Sequence, residues 1–125
     1  MNKLTRFPKE AHERAVRMVF EHAQEGNNTL VDDAPMLFHT GMRALFPLVS
    51  EAIRTVMPVE RLTYVGLSHF EADECGALNA FLAAAPAAVP ICSQVASMVS
   101  IGDYADRAPR ALADGEELPL GTHTI

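Results

Sequence analysis

The sequence predicts an α/β layered domain, and three observations carry that prediction. Apolar, β-branched stretches alternate with helical periodicity along the chain, as in strand–helix–strand units. One of them, "RLTYVGLS", is apolar along most of its length, as a buried parallel strand would be. Hydrophobic residues make up 49% and charged residues 21% of 125 residues, a globular balance in a chain long enough for one core.

Residues 8–24, "PKEAHERAVRMVFEHAQ", place Pro8 at a first-turn position and Ala11, Ala15, Val16, Val19, Phe20 and Ala23 on one stripe, which predicts a helix. The turn residues "EGNN" end it. Two short strands follow in "TLVD" and "PMLFHTG". "PLVSEAIRTVM" then reads as a helix opened by Pro47 and stopped by Pro58. A strand is expected over residues 62–67, a helix in "CGALNAFLAAA", a strand at about 89–92 and a short helix at about 94–101. The tail "DGEELPLGTHTI" reads as a hairpin around Leu120-Gly121.

The net charge of −6 makes the chain a poor generic nucleic-acid binder. It is unevenly spread: residues 1–25 carry five basic and four acidic residues, so the remainder holds −7, with a break near Gly26. Two cysteines, Cys75 and Cys92, make no disulfide framework and read as reduced thiols of a cytoplasmic protein. "MNKLTRFPKE" has no signal-peptide character. The run "FLAAAPAAVPIC" is broken by Pro86 and Pro90 and is too short to span a bilayer, so no membrane partner is expected.

The chemistry gathers in "SHFEADECGALNAF", where His69, Glu71, Asp73 and Glu74 crowd together. Like charges this close repel unless solvent or a cation neutralises them. On a regular helix Glu71 would point about 200° away from His69. In the loop after a buried strand, at the carboxyl edge of the sheet, His69, Glu71 and Asp73 can instead converge. One imidazole with carboxylate oxygens suits iron, manganese or zinc. The competing reading is that acids ahead of a helix cap its free amides and complement its dipole. Glu74 reads as such a dipole-facing or solvated acid. Gly76 leaves room for a close backbone approach and a sharp turn into the next helix.

This stretch resembles the metallo-β-lactamase-fold superfamily, whose hydrolases carry H-x-H-x-D-H in this loop. It is closer to the H-x-E-x-D branch of flavodiiron and oxygen-binding di-iron proteins. The resemblance runs from about Thr29 to the C-terminus and implies an incomplete metallo-β-lactamase-like αββα layered domain over residues 27–125. It also implies iron as cofactor, dioxygen as partner, His69 and Glu71 on one iron and Asp73 on the other. Two positions depart from the family: the H-x-E-x-D-H form has histidine where this chain has Glu74, and His39 in "FHTG" stands where many members have the aspartate of Asp-Thr-Gly. His39 reads as a satisfied core histidine, with a supporting role at the metal as the alternative.

The family's remaining ligands lie well downstream. After Asp73 this chain has one more histidine, His123, expected to be exposed, while Asp103, Asp106 and Asp114 read as turn and surface groups. The expectation is therefore the first half of a di-iron domain, inactive alone, with at most one weakly held ion. A complementing half-domain or a homo-oligomer is left open. No phosphate loop for FMN is visible. Residues 1–26 form a separate unit: "TRFPKEAHERAVRMVFEHAQE", with Glu13-Arg14-Ala15-Val16-Arg17-Met18-Val19, resembles the first helix of the DNA-binding protein of insertion-sequence transposases. The recognition helix that would read bases is absent, so no nucleic acid is expected. The two alternative functions are a transposase-derived remnant and a zinc-type hydrolase fragment, the latter opposed by Glu71.

Overall fold

A computed structural model describes residues 29–125. The expected helix over 8–24, and with it the transposase-like unit, lies outside the described residues. Five short strands form one mixed sheet in the order β1-β2-β3-β4-β5. They are β1 Thr29–Leu30, β2 Met36–Phe38, β3 Tyr64–Gly66, β4 Val89–Ser93 and β5 Arg110–Leu112. β1 runs antiparallel to β2, and the other three pairings are parallel. Parallel neighbours need crossovers, and helices supply them. α1 (Phe46–Arg54) joins β2 to β3, and α2 (Ala72–Cys75) and α3 (Leu78–Ala84) join β3 to β4. Pro47 sits in the first turn of α1, where its missing N–H costs nothing.

Strand alternation divides the apolar residues between two faces. Leu37, Val65 and Cys92 point to the helices and join Val49, Ile53, Leu78, Phe81 and Leu82 in the main core. Phe46 meets Phe81 edge-on at 4.9 Å. Burying each of the large side chains stabilises the fold by about 1.5–3 kcal/mol. Met36 and Ile91 face the other way and are covered by Leu118 and Leu120 of the C-terminal segment. That segment is a hairpin: Pro119 bridges Thr124, and Leu120 N–H donates to the His123 carbonyl at 2.8 Å. Arg107 ties the end of α3 to the start of β4 by donating to the carbonyls of Leu82, Ala85 and Ala88.

Two expectations change. The stretch containing Asp103, Asp106 and Asp114 holds an edge strand, β5, as well as turns. Its three residues include the exposed Arg110 and Ala111, so no hydrophobic alternation marks it. The helix after β4 continues past 101 as α4 (Gln94–Ala96), a π-helical turn (Ser97–Ile101) and α5 (Gly102–Tyr104). Gly102 permits the wide turn, because a Cβ there would stand 2.2 Å from the Ser97 carbonyl oxygen. Among the described residues, no helix is long and apolar enough to cross a membrane.

Candidate metal centre

The sheet delivers the polar residues to one edge. Phe38 and Gly66 are in register at the carboxyl ends of β2 and β3, so His39 and the segment 67–69 leave the sheet side by side. His39 N–H still donates to the Gly66 carbonyl at 2.8 Å. Its φ of 60° is left-handed, a conformation that strains a side chain with a Cβ. The turn swings the imidazole back over the strand end, stacked on Phe38 at 4.3 Å and edge-on to His69 at 5.7 Å.

Glu74 arrives from the short helix α2, and three contacts fix that helix. Thr40, 1% exposed, donates its N–H and its hydroxyl to the Glu74 carbonyl at 2.7 and 2.8 Å. The buried Cys75 thiol donates to the His69 carbonyl at 3.1 Å. Gly76 lets residues 42–43 pass against its backbone: a Cβ there would lie 2.4 Å from Ala72 O and 2.7 Å from Arg43 N. Burial, reinforced by the charges of Glu74, Asp73 and Glu71, pushes the Cys75 thiol up despite the Glu71 backbone contact, so it remains a protonated donor. Cys75 and Cys92 are both free and buried.

His39, His69 and Glu74 form the cluster, each offering one ligand atom within 4.8 Å of the others. Glu74 Oε1 is 3.5 Å from His39 Nδ1, and Glu74 Oε2 is 2.7 Å from His69 Nε2. Oε2 is buried yet accepts no hydrogen bond, although His69 Nε2 lies 2.7 Å away. A buried carboxylate oxygen without a donor is costly. A cation removes the cost. Two ligands each about 2.1 Å from one ion stand about 3 Å apart at a right angle, with neither on the other's lone-pair axis. The donor set and the orphaned oxygen both fit a divalent ion.

Of the residues expected as ligands, His69 is in the cluster. Glu71 Oε1 lies 3.8 Å from His69 Nε2 at the rim. Asp73 sits in the first turn of α2, exposed, with no hydrogen bond or ion pair among the described residues. Glu74 and His39 complete the cluster, their side chains 25% and 20% exposed, at positions where the sequence predicts a solvated acid and a core histidine. The signal for both was available: each occupies a position where the resembled family carries a polar site residue. His123 is exposed as expected and pairs with Asp32 at 2.7 Å, outside the cluster.

No protein-family model matches the chain, and no curated protein does. Solved structures do match. Rubredoxin oxygen:oxidoreductase from Desulfovibrio gigas superposes with a TM-score of 0.71 at 23% identity, over 77% of this chain and 24% of that one. The flavodiiron protein from Giardia intestinalis gives 0.65 at 17% over the same shares. A metallo-β-lactamase with a HARLDQ motif from Cronobacter sakazakii gives 0.63 at 21%, over 77% and 42%. The chain has part of a metallo-β-lactamase fold. It spans about a quarter to under half of the length of these proteins, and at such identities the likeness establishes the fold alone.

Proposed function

We propose that this chain is a metal-binding portion of a flavodiiron-like, oxygen-handling oxidoreductase, holding one divalent ion and not turning over dioxygen alone. The observation that supports it most is the buried Glu74 Oε2, without a hydrogen bond and 2.7 Å from His69 Nε2. His69 and Glu74 are the primary ligands, with His39 Nδ1 3.5 Å from Glu74 Oε1 and Glu71 Oε1 3.8 Å from His69 Nε2. Imidazole with carboxylate favours iron, manganese or zinc, and the resemblance favours iron. A bound ferrous ion would supply the redox chemistry. The residues themselves would hold the ion at the sheet edge, with the Glu74 carboxylate offsetting part of its charge. A second ion close by needs a bridging carboxylate and ligands of its own, or the cations repel. The cluster contains no such set among the described residues.

The test is anaerobic loading with ferrous iron, followed by metal content by mass spectrometry and an oxygen-consumption assay. We expect up to one ion per chain, lost in His69→Ala and Glu74→Gln, and no oxygen consumption above that of free iron. Two tightly held irons per chain, or loading unchanged in both variants, would overturn the reading.

A further inference from the structure

Ser68 stands between the two imidazoles, and with both rings neutral its contacts leave one consistent arrangement of protons. Its N–H donates to His39 Nε2 at 3.2 Å, so that nitrogen must carry a lone pair. Neutral His39 therefore bears its proton on Nδ1, the atom that faces Glu74 Oε1 at 3.5 Å. Ser68 Oγ is 2.7 Å from the same Nε2. Since both atoms have lone pairs, the single hydroxyl hydrogen must point at the imidazole. Toward His69 Nδ1, 2.8 Å away on its other side, the oxygen then has only lone pairs to offer. His69 must donate from Nδ1, which leaves Nε2 bare.

We infer that Ser68 is a positioning residue that locks His69 in the Nδ1–H tautomer and so presents Nε2 as the ligand atom beside Glu74 Oε2. The inference rests on the metal reading above and sharpens it. With His69 neutral, a bare Nε2 facing a carboxylate oxygen at 2.7 Å is two lone-pair-bearing atoms in contact, an arrangement that a cation bound by both makes favourable. It also divides the labour between the two histidines. His69 ligates. His39, with its Nδ1 proton directed at Glu74, orients the carboxylate and does not ligate, as a hydrogen-bonded partner behind a metal ligand does. Without the Ser68 hydroxyl, His69 Nδ1 loses its acceptor and nothing opposes the Nε2–H form, whose proton occupies the ion's place.

Two readouts test this separately. In metal-free, 15N-histidine protein at a pH where the imidazoles are neutral, long-range 1H–15N correlations should show the Nδ1–H tautomer for both His39 and His69. Ser68→Ala should move His69 to the Nε2–H form, and Ser68→Thr, which keeps the hydroxyl, should restore Nδ1–H. Cobalt(II) titration should show about 10-fold weaker binding in Ser68→Ala, recovered in Ser68→Thr, the usual size of effect for a group that orients a ligand. Finding His69 as Nε2–H in the wild type, or unchanged in Ser68→Ala, would overturn the inference whatever the metal does. Wild-type protein that shows the expected tautomers but takes up no cobalt would overturn the metal reading and leave the tautomer lock standing.

Discussion

Thr40 grips the Glu74 carbonyl twice, through its N–H at 2.7 Å and its hydroxyl at 2.8 Å. The two residues are 34 positions apart, one following β2 and the other in α2, so this contact joins the two segments of the site. Thr40→Val keeps the shape and removes the hydroxyl. Glu74 keeps one donor, while Ala77 N–H loses its 3.2 Å contact to Thr40 Oγ1 and keeps the Gly41 carbonyl at 3.1 Å. We expect a loss of about 1–3 kcal/mol in denaturant unfolding, with weaker cobalt(II) binding because α2 is less firmly held. Unchanged stability would mean that the hydroxyl is not a structural bond.

Asp73 and Glu74 are adjacent acids with different environments. Glu74 Oε2 is buried against His69, whereas Asp73 has no polar partner among the described residues. Glu74→Gln replaces one carboxylate oxygen by an amide and removes the charge an ion needs, so cobalt(II) binding should fall by at least about 10-fold. Asp73→Asn should change it by less than about 3-fold, a value set by the remote charge alone. The opposite order would restore Asp73 as a ligand and remove Glu74.

The contrast between these two acids shows what was legible in the sequence. The strand at 62–67, the helix opened by Pro47 and the loop around His69 follow from apolar runs and proline placement, which are local properties. Membership of the cluster is not local. It depends on the strand register that sets His39 beside residues 67–69 and on the Thr40 contacts that turn Glu74 inward. As residue types Asp73 and Glu74 are adjacent acids of the same chemistry, and in the linear sequence only the resemblance tells them apart. β5 escaped for a related reason: three residues at an edge, held by pairing with Ile91, Cys92 and Ser93, leave no hydrophobic pattern.

Gly76 is a further position where one methyl group tests the site. Its backbone φ of −58° suits any residue, so alanine would not be opposed by conformation. The obstacle is space: Ala72 O, Arg43 N and Met42 Cα would lie 2.4, 2.7 and 3.2 Å from the new Cβ. All three are main-chain atoms and cannot rotate away. Gly76→Ala should therefore push α2 from residues 42–43 and cost about 1–3 kcal/mol, the usual range for overpacking. It should also weaken cobalt(II) binding, because Glu74 moves with α2. A melting temperature equal to the wild type would show that the two segments separate freely.

The C-terminal hairpin gives the last prediction. Asp32, with a side chain only 5% exposed, receives the N–H and hydroxyl of Thr122, the N–H and ring nitrogen of His123, and the N–H of Asp33. These contacts clasp the hairpin whose Leu118 and Leu120 cover Met36 and Ile91. The Thr122 N–H, then those of Asp33 and His123 with its ring, hold the carboxyl far below the usual carboxylate range against the opposing effect of burial. Because the folded state lowers this pKa from about 3.8, the stabilisation is fully present above that pH and fades as pH falls further toward the folded value. Asp32→Asn keeps the size and removes the charge, so its melting temperature at pH 7 should be several degrees below wild type. Other carboxylates titrate in both proteins, and the difference between the two curves isolates Asp32. That difference should shrink as pH falls below about pH 4. A gap that does not narrow between pH 4 and pH 2 would show that the clasp holds through its geometry and not through the carboxylate charge.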